Sequence, residues 1–322
     1  MGERTTISWT DHTFSPWWGC DEVSPGCDHC YARTLAGRFE PKVKLWGSVA
    51  EGGARLVFDN KPRHWNEPLG WNKRAAKAGV RERVFCASMA DVFDNHPAVV
   101  DERASLWSLI HKTPALDWLL LTKRIGNVKR MVHEPWLRGH WPSNAWLGIT
   151  VVNQEEADRD IPKLLELPAP VRFLSIEPML GPVDLMLSMP IVPGGKWDAL
   201  RCSSHIDWVI CGGESGRQAR PMHPAWARSL RDQCGKAGVP FHFKQWGEWG
   251  PVDSEKNPAA NRPGSPPPNW DGLAGTRLVV GQRMNGDAIE ALWPVKRAGK
   301  AAAGRLLDGV EHNAFPTSVG AP

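Results

Sequence analysis

Six short apolar runs, each ending in polar residues and separated by helical patterns, recur along this 322-residue chain. They are "RVFCASM" (Arg83–Met89), "DWLLLTK" (Asp117–Lys123), "AWLGITVVN" (Ala145–Asn153), "VRFLSIEPML" (Val171–Leu180), "DWVICGGESG" (Asp207–Gly216) and "PFHFKQWGEW" (Pro240–Trp249). Strands that are apolar on both faces belong in a parallel sheet with helices packed on each side. "TISW" (Thr6–Trp9) supplies a seventh. Seven βα-type units are too many for a simple doubly wound domain. The pattern predicts an α/β fold, a full or partial (β/α) barrel with long inserted loops. Chemistry in such a fold sits at the C-terminal ends of the strands.

Those ends are polar: Ser88 and Asp91, Thr122 to Arg124, Thr150 to Asn153, Glu177, Glu214 and Ser215, Lys244 and Gln245. A charge or amide straight after a buried run is costly unless paired or used. Six such ends together predict a lined cavity. The barrel is expected over residues 1–250, with an insertion at 39–82. That insertion carries Trp46, Trp65 and Trp71 among Lys42, Lys44, Arg55, Lys61, Arg63, Lys73 and Arg74. Residues 251–276, with "RPGSPPPNWDG", bring too little apolar surface to pack and read as a flexible loop. Residues 277–322 read as a C-terminal extension packing on the barrel.

The formal net charge of +4 permits a nucleic-acid partner, and the eighteen tryptophans suit either a core or base stacking. No apolar run is long enough to predict a membrane span. The polar start "MGERTTISWTD" shows no signal-peptide pattern, so a cytoplasmic protein with reduced thiols is expected.

Three of the seven cysteines, Cys20, Cys27 and Cys30, fall within "WWGCDEVSPGCDHCYA". A clustered trio in a reducing compartment points to metal or catalysis. Structural zinc takes four ligands, and His12 or His29 is a candidate fourth, but the second ligand pair of a zinc ribbon or finger is absent from the chain. His29 lies between two of the cysteines, where its side chain would point away from a metal that both hold. An iron–sulfur cluster explains three: four irons on three thiolates leave one iron free for a ligand that is not protein. A non-catalytic zinc-binding protein that interacts with nucleic acid stays open as the alternative. "CGGESG" lacks the Lys-Ser/Thr ending of a phosphate loop, which argues against nucleoside triphosphate binding.

The stretch Trp17–Ala32 resembles the pattern W-x-G-C-x-x-V-S-x-G-C-x-x-C-Y-A of a phage and bacterial three-cysteine family of radical S-adenosylmethionine enzymes. That family is distantly similar to spore photoproduct lyase. Further matches are "SMADVF", "LLLTKR", "LGITVVN", "SIEPMLGPV", "CGGESGRQARPM", "FKQWGEW" and "GKAAAGRLLDG", so the resemblance covers nearly the whole chain. The six residues between Cys20 and Cys27 depart from the three usual in the wider superfamily. The resemblance implies a barrel of the radical S-adenosylmethionine type, with a [4Fe–4S] cluster on Cys20, Cys27 and Cys30. S-adenosylmethionine would meet His29, Ser88, Asp91, Thr122, Lys123, Thr150 and Asn153, with Arg124 joining Thr122 and Lys123 at its ribose or methionine carboxylate.

The implied chemistry is a 5′-deoxyadenosyl radical that removes a hydrogen atom from an unactivated carbon. Glu177, Glu214 and Lys244 are the expected substrate contacts. The expected substrate is a modified thymine in phage DNA, whose side chain is rearranged by an isomerase reaction that defeats host restriction. A lyase acting on damaged DNA is the nearest alternative. An external one-electron reductant such as flavodoxin is implied, and a membrane is not.

Overall fold

A computed structural model describes residues 2–38, 43–58, 62–188, 195–251, 276–280 and 292–317. The expected loop at 251–276 lies outside the described residues apart from its two end positions, as do Lys42 and Lys61 of the insertion. Seven strands form a parallel set: β1 (His12–Phe14), β2 (Glu82–Cys86), β3 (Leu116–Thr122), β4 (Ala145–Thr150), β5 (Arg172–Ile176), β6 (Trp208–Gly212) and β7 (Phe241–Gln245). They lie side by side in chain order, with Gly2–Glu3 antiparallel on the outer edge of β1. This is the order in which a (β/α) barrel lays down its strands. Among the described residues β1 and β7 are not paired with each other, and the fold is the partial form.

Thr6–Trp9 is not a strand. The chain turns there, with the Thr10 amide donating to the Ile7 carbonyl (3.3 Å), and pairing with β2 begins only at His12. The polar His12 of β1 is covered from far along the chain. His12 stacks on Trp71 at 4.4 Å, and both His12 and Thr13 are buried.

Two compact units divide the chain. The first comprises Met1–Thr150, Asp160–Leu174 and Pro316–Pro322. Its core is built on tryptophan: Trp9, Trp17, Trp118, Trp136 and Trp146 are almost wholly buried. The insertion supplies α2 (Pro62–Ala78), which sets His64 against Phe14 and Trp71 against His12. Trp46 and Trp71 are therefore core residues, and half-buried Trp65 donates its indole N–H to the Phe58 carbonyl. Burial of large aromatic area fixes this segment onto the sheet.

The second unit comprises Val151–Arg159 and Ser175–Phe315. Its helix Pro224–Ala237 starts on a cap from His223 and stops at left-handed Gly238. The C-terminal segment packs along β7. The Phe243 amide donates to the His312 carbonyl (2.9 Å), and Phe315 covers Trp208, whose indole N–H reaches the Ala314 carbonyl (2.9 Å). No helix among the described residues is long and apolar enough to cross a membrane.

Candidate functional site

The cysteine loop leaves β1 and is shaped by distant backbone. Gly19 has φ +110°, and a Cβ there would lie 2.5 Å from the Leu45 carbonyl oxygen and 2.8 Å from that of Ala54, so only glycine fits. Its amide donates to the Met89 carbonyl, the Cys20 amide to Leu45, and the Gly47 amide to the Cys20 carbonyl. Beyond Asp21, Ser24 caps a single turn, Pro25–Cys27, by accepting from the Gly26 amide. Cys30 then stands at the N-terminal boundary of α1 (Tyr31–Ala36). Cys20 and Cys30 pack against one small apolar cluster of Ala32, Ala36, Leu45, Trp46 and Met89.

Among the described residues, no three His, Cys, Asp or Glu side chains converge as they would on a metal ion. In a four-iron cluster each thiolate takes a different iron, so three thiols in one loop suit a cluster without meeting at a point. Burial pushes the Cys20 thiol up to about 12, against the pull of the Arg124 guanidinium, so a thiolate there needs further positive charge. The donor set fits the cluster that the resemblance implies. His29 adds a buried ring nitrogen, Nδ1, with no hydrogen-bond partner among the described residues.

Asp91, after β2, is a buried hub. Its Oδ1 accepts from Thr122 Oγ1 (2.7 Å) and the Phe93 amide (2.9 Å), and its Oδ2 from the Lys123 amide (3.0 Å) and Arg124 Nη1 (3.1 Å). Arg124 passes the connection on, with Nη1 3.4 Å from Cys20 Sγ and Nη2 donating to the Asp21 carbonyl (2.8 Å). Burial opposes the Arg124 charge, but Asp91, Cys20 and Asp94 together raise its pKa. The Lys123 side chain is half-buried and has no carboxylate partner among the described residues. Ser88 accepts the Tyr31 hydroxyl at its carbonyl (2.7 Å), and its own hydroxyl lies 3.4 Å from that of Ser15. Thr150 is buried at the end of β4.

In the second unit, Glu177 follows β5 and pairs with Lys244 on β7 at 3.1 Å. Ser175 Oγ lies 3.3 Å from the other oxygen of Glu177. Gly212 makes room for this carboxylate, since a Cβ there would sit 2.6 Å from Glu177 Oε1. Lys300 feels the same pair: burial and then Lys244 lower its pKa, while Glu177 opposes them. Glu214 is engaged differently. Both of its oxygens are taken by Arg220, through Nε (2.9 Å), Nη2 (2.6 Å) and the backbone amide (2.7 Å). Asn153 Oδ1 accepts the Glu156 amide (3.0 Å) and caps the helix Gln154–Leu165, while Glu156 Oε2 accepts the Val152 amide (3.0 Å).

A family model described as "Protein of unknown function (DUF5131)" matches residues 4–316. The chain belongs to this family. No curated protein matches the sequence. Among solved structures, a spore photoproduct lyase mutant matches this DUF5131 chain at 9% identity and a TM-score of 0.41, over 91% of this chain and 70% of the other.

Within this DUF5131 chain the structure thus joins Cys20, Asp91, Thr122 and Arg124 into one buried set, and Glu177 with Lys244 into another. Two partners escaped the sequence reading. Arg220 follows Glu214 in a run of polar residues with nothing to mark it. The second, Glu156, had a signal that the reading did not use, because Asn153 and Glu156 stand at the spacing of a capping box.

Proposed function

We propose that this protein is a radical S-adenosylmethionine enzyme with a [4Fe–4S] cluster on Cys20, Cys27 and Cys30. The observation that supports this most is the cysteine loop after the first barrel strand, where Cys20 and Cys30 share one apolar cluster and Cys20 faces a buried guanidinium. Such a cluster, with S-adenosylmethionine bound, would supply radical chemistry for abstracting a hydrogen atom from an unactivated carbon. Lys123, with no carboxylate partner among the described residues, brings a cation suited to the methionine carboxylate. His29 offers its orphaned nitrogen beside the adenine, and Ser88 and Thr150 offer hydroxyls to the ribose. Asn153 uses its Oδ1 as a cap and keeps its amide nitrogen for the nucleoside. Asp91, with both oxygens occupied, orders Thr122 and Arg124 and leaves the ligand to its neighbours.

The substrate we favour is a modified thymine in DNA, with rearrangement of its side chain. The net charge of +4 and the exposed Arg63, Lys73 and Lys77 of α2 support a polyanionic partner. The Glu177–Lys244 pair carries one charge of each sign, as an appendage ending in an amine and a carboxylate requires. Glu214, committed to Arg220, instead holds its loop in place. A base in duplex DNA would be flipped out to react.

The test is to reconstitute the protein anaerobically, add S-adenosylmethionine, a one-electron donor such as flavodoxin, and phage DNA, and separate the released nucleosides. The expected result is brown protein with about four irons, release of 5′-deoxyadenosine, and a nucleoside of unchanged mass at a new retention time. Loss of the appendage instead would identify a lyase. Colourless protein with stoichiometric zinc and no cleavage of S-adenosylmethionine would refute the proposal.

A further inference from the structure

The geometry points to Arg124 as a positioning residue that tunes the electron affinity of the cluster through a charged hydrogen bond to Cys20; this rests on the ligand assignment proposed above. The resemblance assigned Arg124 to S-adenosylmethionine, but its donors are directed elsewhere. Nη1 lies 3.1 Å from Asp91 Oδ2 and 3.4 Å from Cys20 Sγ, and Nη2 is 2.8 Å from the Asp21 carbonyl. Its backbone amide donates to Thr122 Oγ1 (2.8 Å), which itself donates to Asp91. The guanidinium is therefore fixed from three sides, with 7% of its side chain exposed.

A buried cation needs a counter-ion, and Asp91 supplies it. Electrostatic pairing alone would be satisfied with the guanidinium facing Asp91 only. Here the same nitrogen also faces a sulfur. Among the described residues no charged side chain donates to Cys27 or Cys30, so the three thiols are not equivalent. Reduction adds one electron to the cluster and spreads negative charge onto its thiolates. A donor beside one sulfur stabilises that added charge more than it stabilises the oxidised form, and hydrogen bonds to sulfur are among the determinants of cluster potential. Arg124 accordingly makes the cluster easier to reduce. Asp91 sets the strength of the effect by holding the fork in place and offsetting part of its charge.

The experiment compares full-length wild type, Arg124→Gln and Arg124→Lys, all reconstituted anaerobically. Each is titrated with dithionite and mediators, and the reduced cluster is followed by electron paramagnetic resonance. Arg124→Gln is expected to shift the reduction equilibrium about tenfold towards the oxidised form, about 59 mV more negative for one electron. Arg124→Lys, which keeps the charge but loses the planar fork, is expected to recover part of the shift. If Arg124→Gln loses its cluster, a lowered potential in Arg124→Lys carries the same conclusion. An Arg124→Gln protein holding its irons at the wild-type potential, with an unchanged resonance signal, would overturn the inference. Failure of wild type to bind any cluster would instead overturn the proposed function, so the two failures are distinct.

Discussion

Gly212→Ala tests the charged pair of the second unit from its least conspicuous side. Gly212 ends β6 beside a shift of register against β7, and its φ is not in the left-handed region, so alanine carries no left-handed penalty there. The new Cβ would sit 2.6 Å from Glu177 Oε1, whereas its next contact, the Gln245 carbonyl at 3.5 Å, is normal. The whole cost therefore falls on one carboxylate, already held by Lys244 at 3.1 Å and beside Ser175 Oγ at 3.3 Å. Overpacking of this kind costs about 1–3 kcal/mol. At about 2–4 °C per kcal/mol for a domain of 150–250 residues, that is a fall in Tm of about 2–12 °C. Calorimetry on Gly212→Ala, Glu177→Ala and the double variant isolates the clash, because removing the carboxylate opens the space. Gly212→Ala should then cost almost nothing in the Glu177→Ala background, a coupling expected only of groups in direct contact. Equal costs in both backgrounds would refute the account of why this strand ends in glycine.

Three further outcomes are expected. Arg220→Ala leaves Glu214 buried without its partner and should destabilise by about 3–5 kcal/mol in chemical denaturation, with most of the loss recovered in Arg220→Ala/Glu214→Gln. Asn153→Ala should cost about 1 kcal/mol through the lost helix cap, while iron content stays at the wild-type level. Burial pushes Cys234 up to about 12 from its ordinary 9.0, so the folded state keeps the proton that the unfolded chain loses. Stability should fall as pH rises from about 9 towards 12, and mass spectrometry after iodoacetamide at pH 8 should find Cys234, Cys86 and Cys211 unmodified until the chain unfolds.

The parallel strands were legible because their burial on both faces is written locally as continuous apolar sequence. β1 was not, because His12 and Thr13 owe their burial to the sheet and to Trp71, a contact that local sequence does not reveal. The same physics separates what could be read of the site. Polar residues at strand ends mark positions where charge must be satisfied, which singled out Asp91, Glu177, Glu214 and Lys244. Which partner satisfies each is a tertiary fact. Glu214 turned to Arg220, six residues on, while Glu177 reached Lys244 two strands away. Tryptophans interleaved with cations, as in the insertion, suit a nucleic-acid surface by composition alone. Trp46 and Trp71 face inward because aromatic area stabilises when buried, and Arg55 is buried against Asp94, whose carboxylate offsets the cost of taking its charge out of water.

The walls around Gly19 carry a consequence for how such a motif travels between proteins. Leu45 and Ala54 bring the carbonyls that leave no room for a side chain at Gly19, and Leu45 also accepts the Cys20 amide. A cassette of residues 17–32 moved into a foreign barrel would carry all three thiols and lose that acceptor. The portable unit is the cysteine stretch together with residues 44–55, two pieces that must be inherited jointly. Length variation among relatives should accordingly gather outside that second piece, and a chimera that exchanges the first piece alone should fail to take up iron even with every cysteine present.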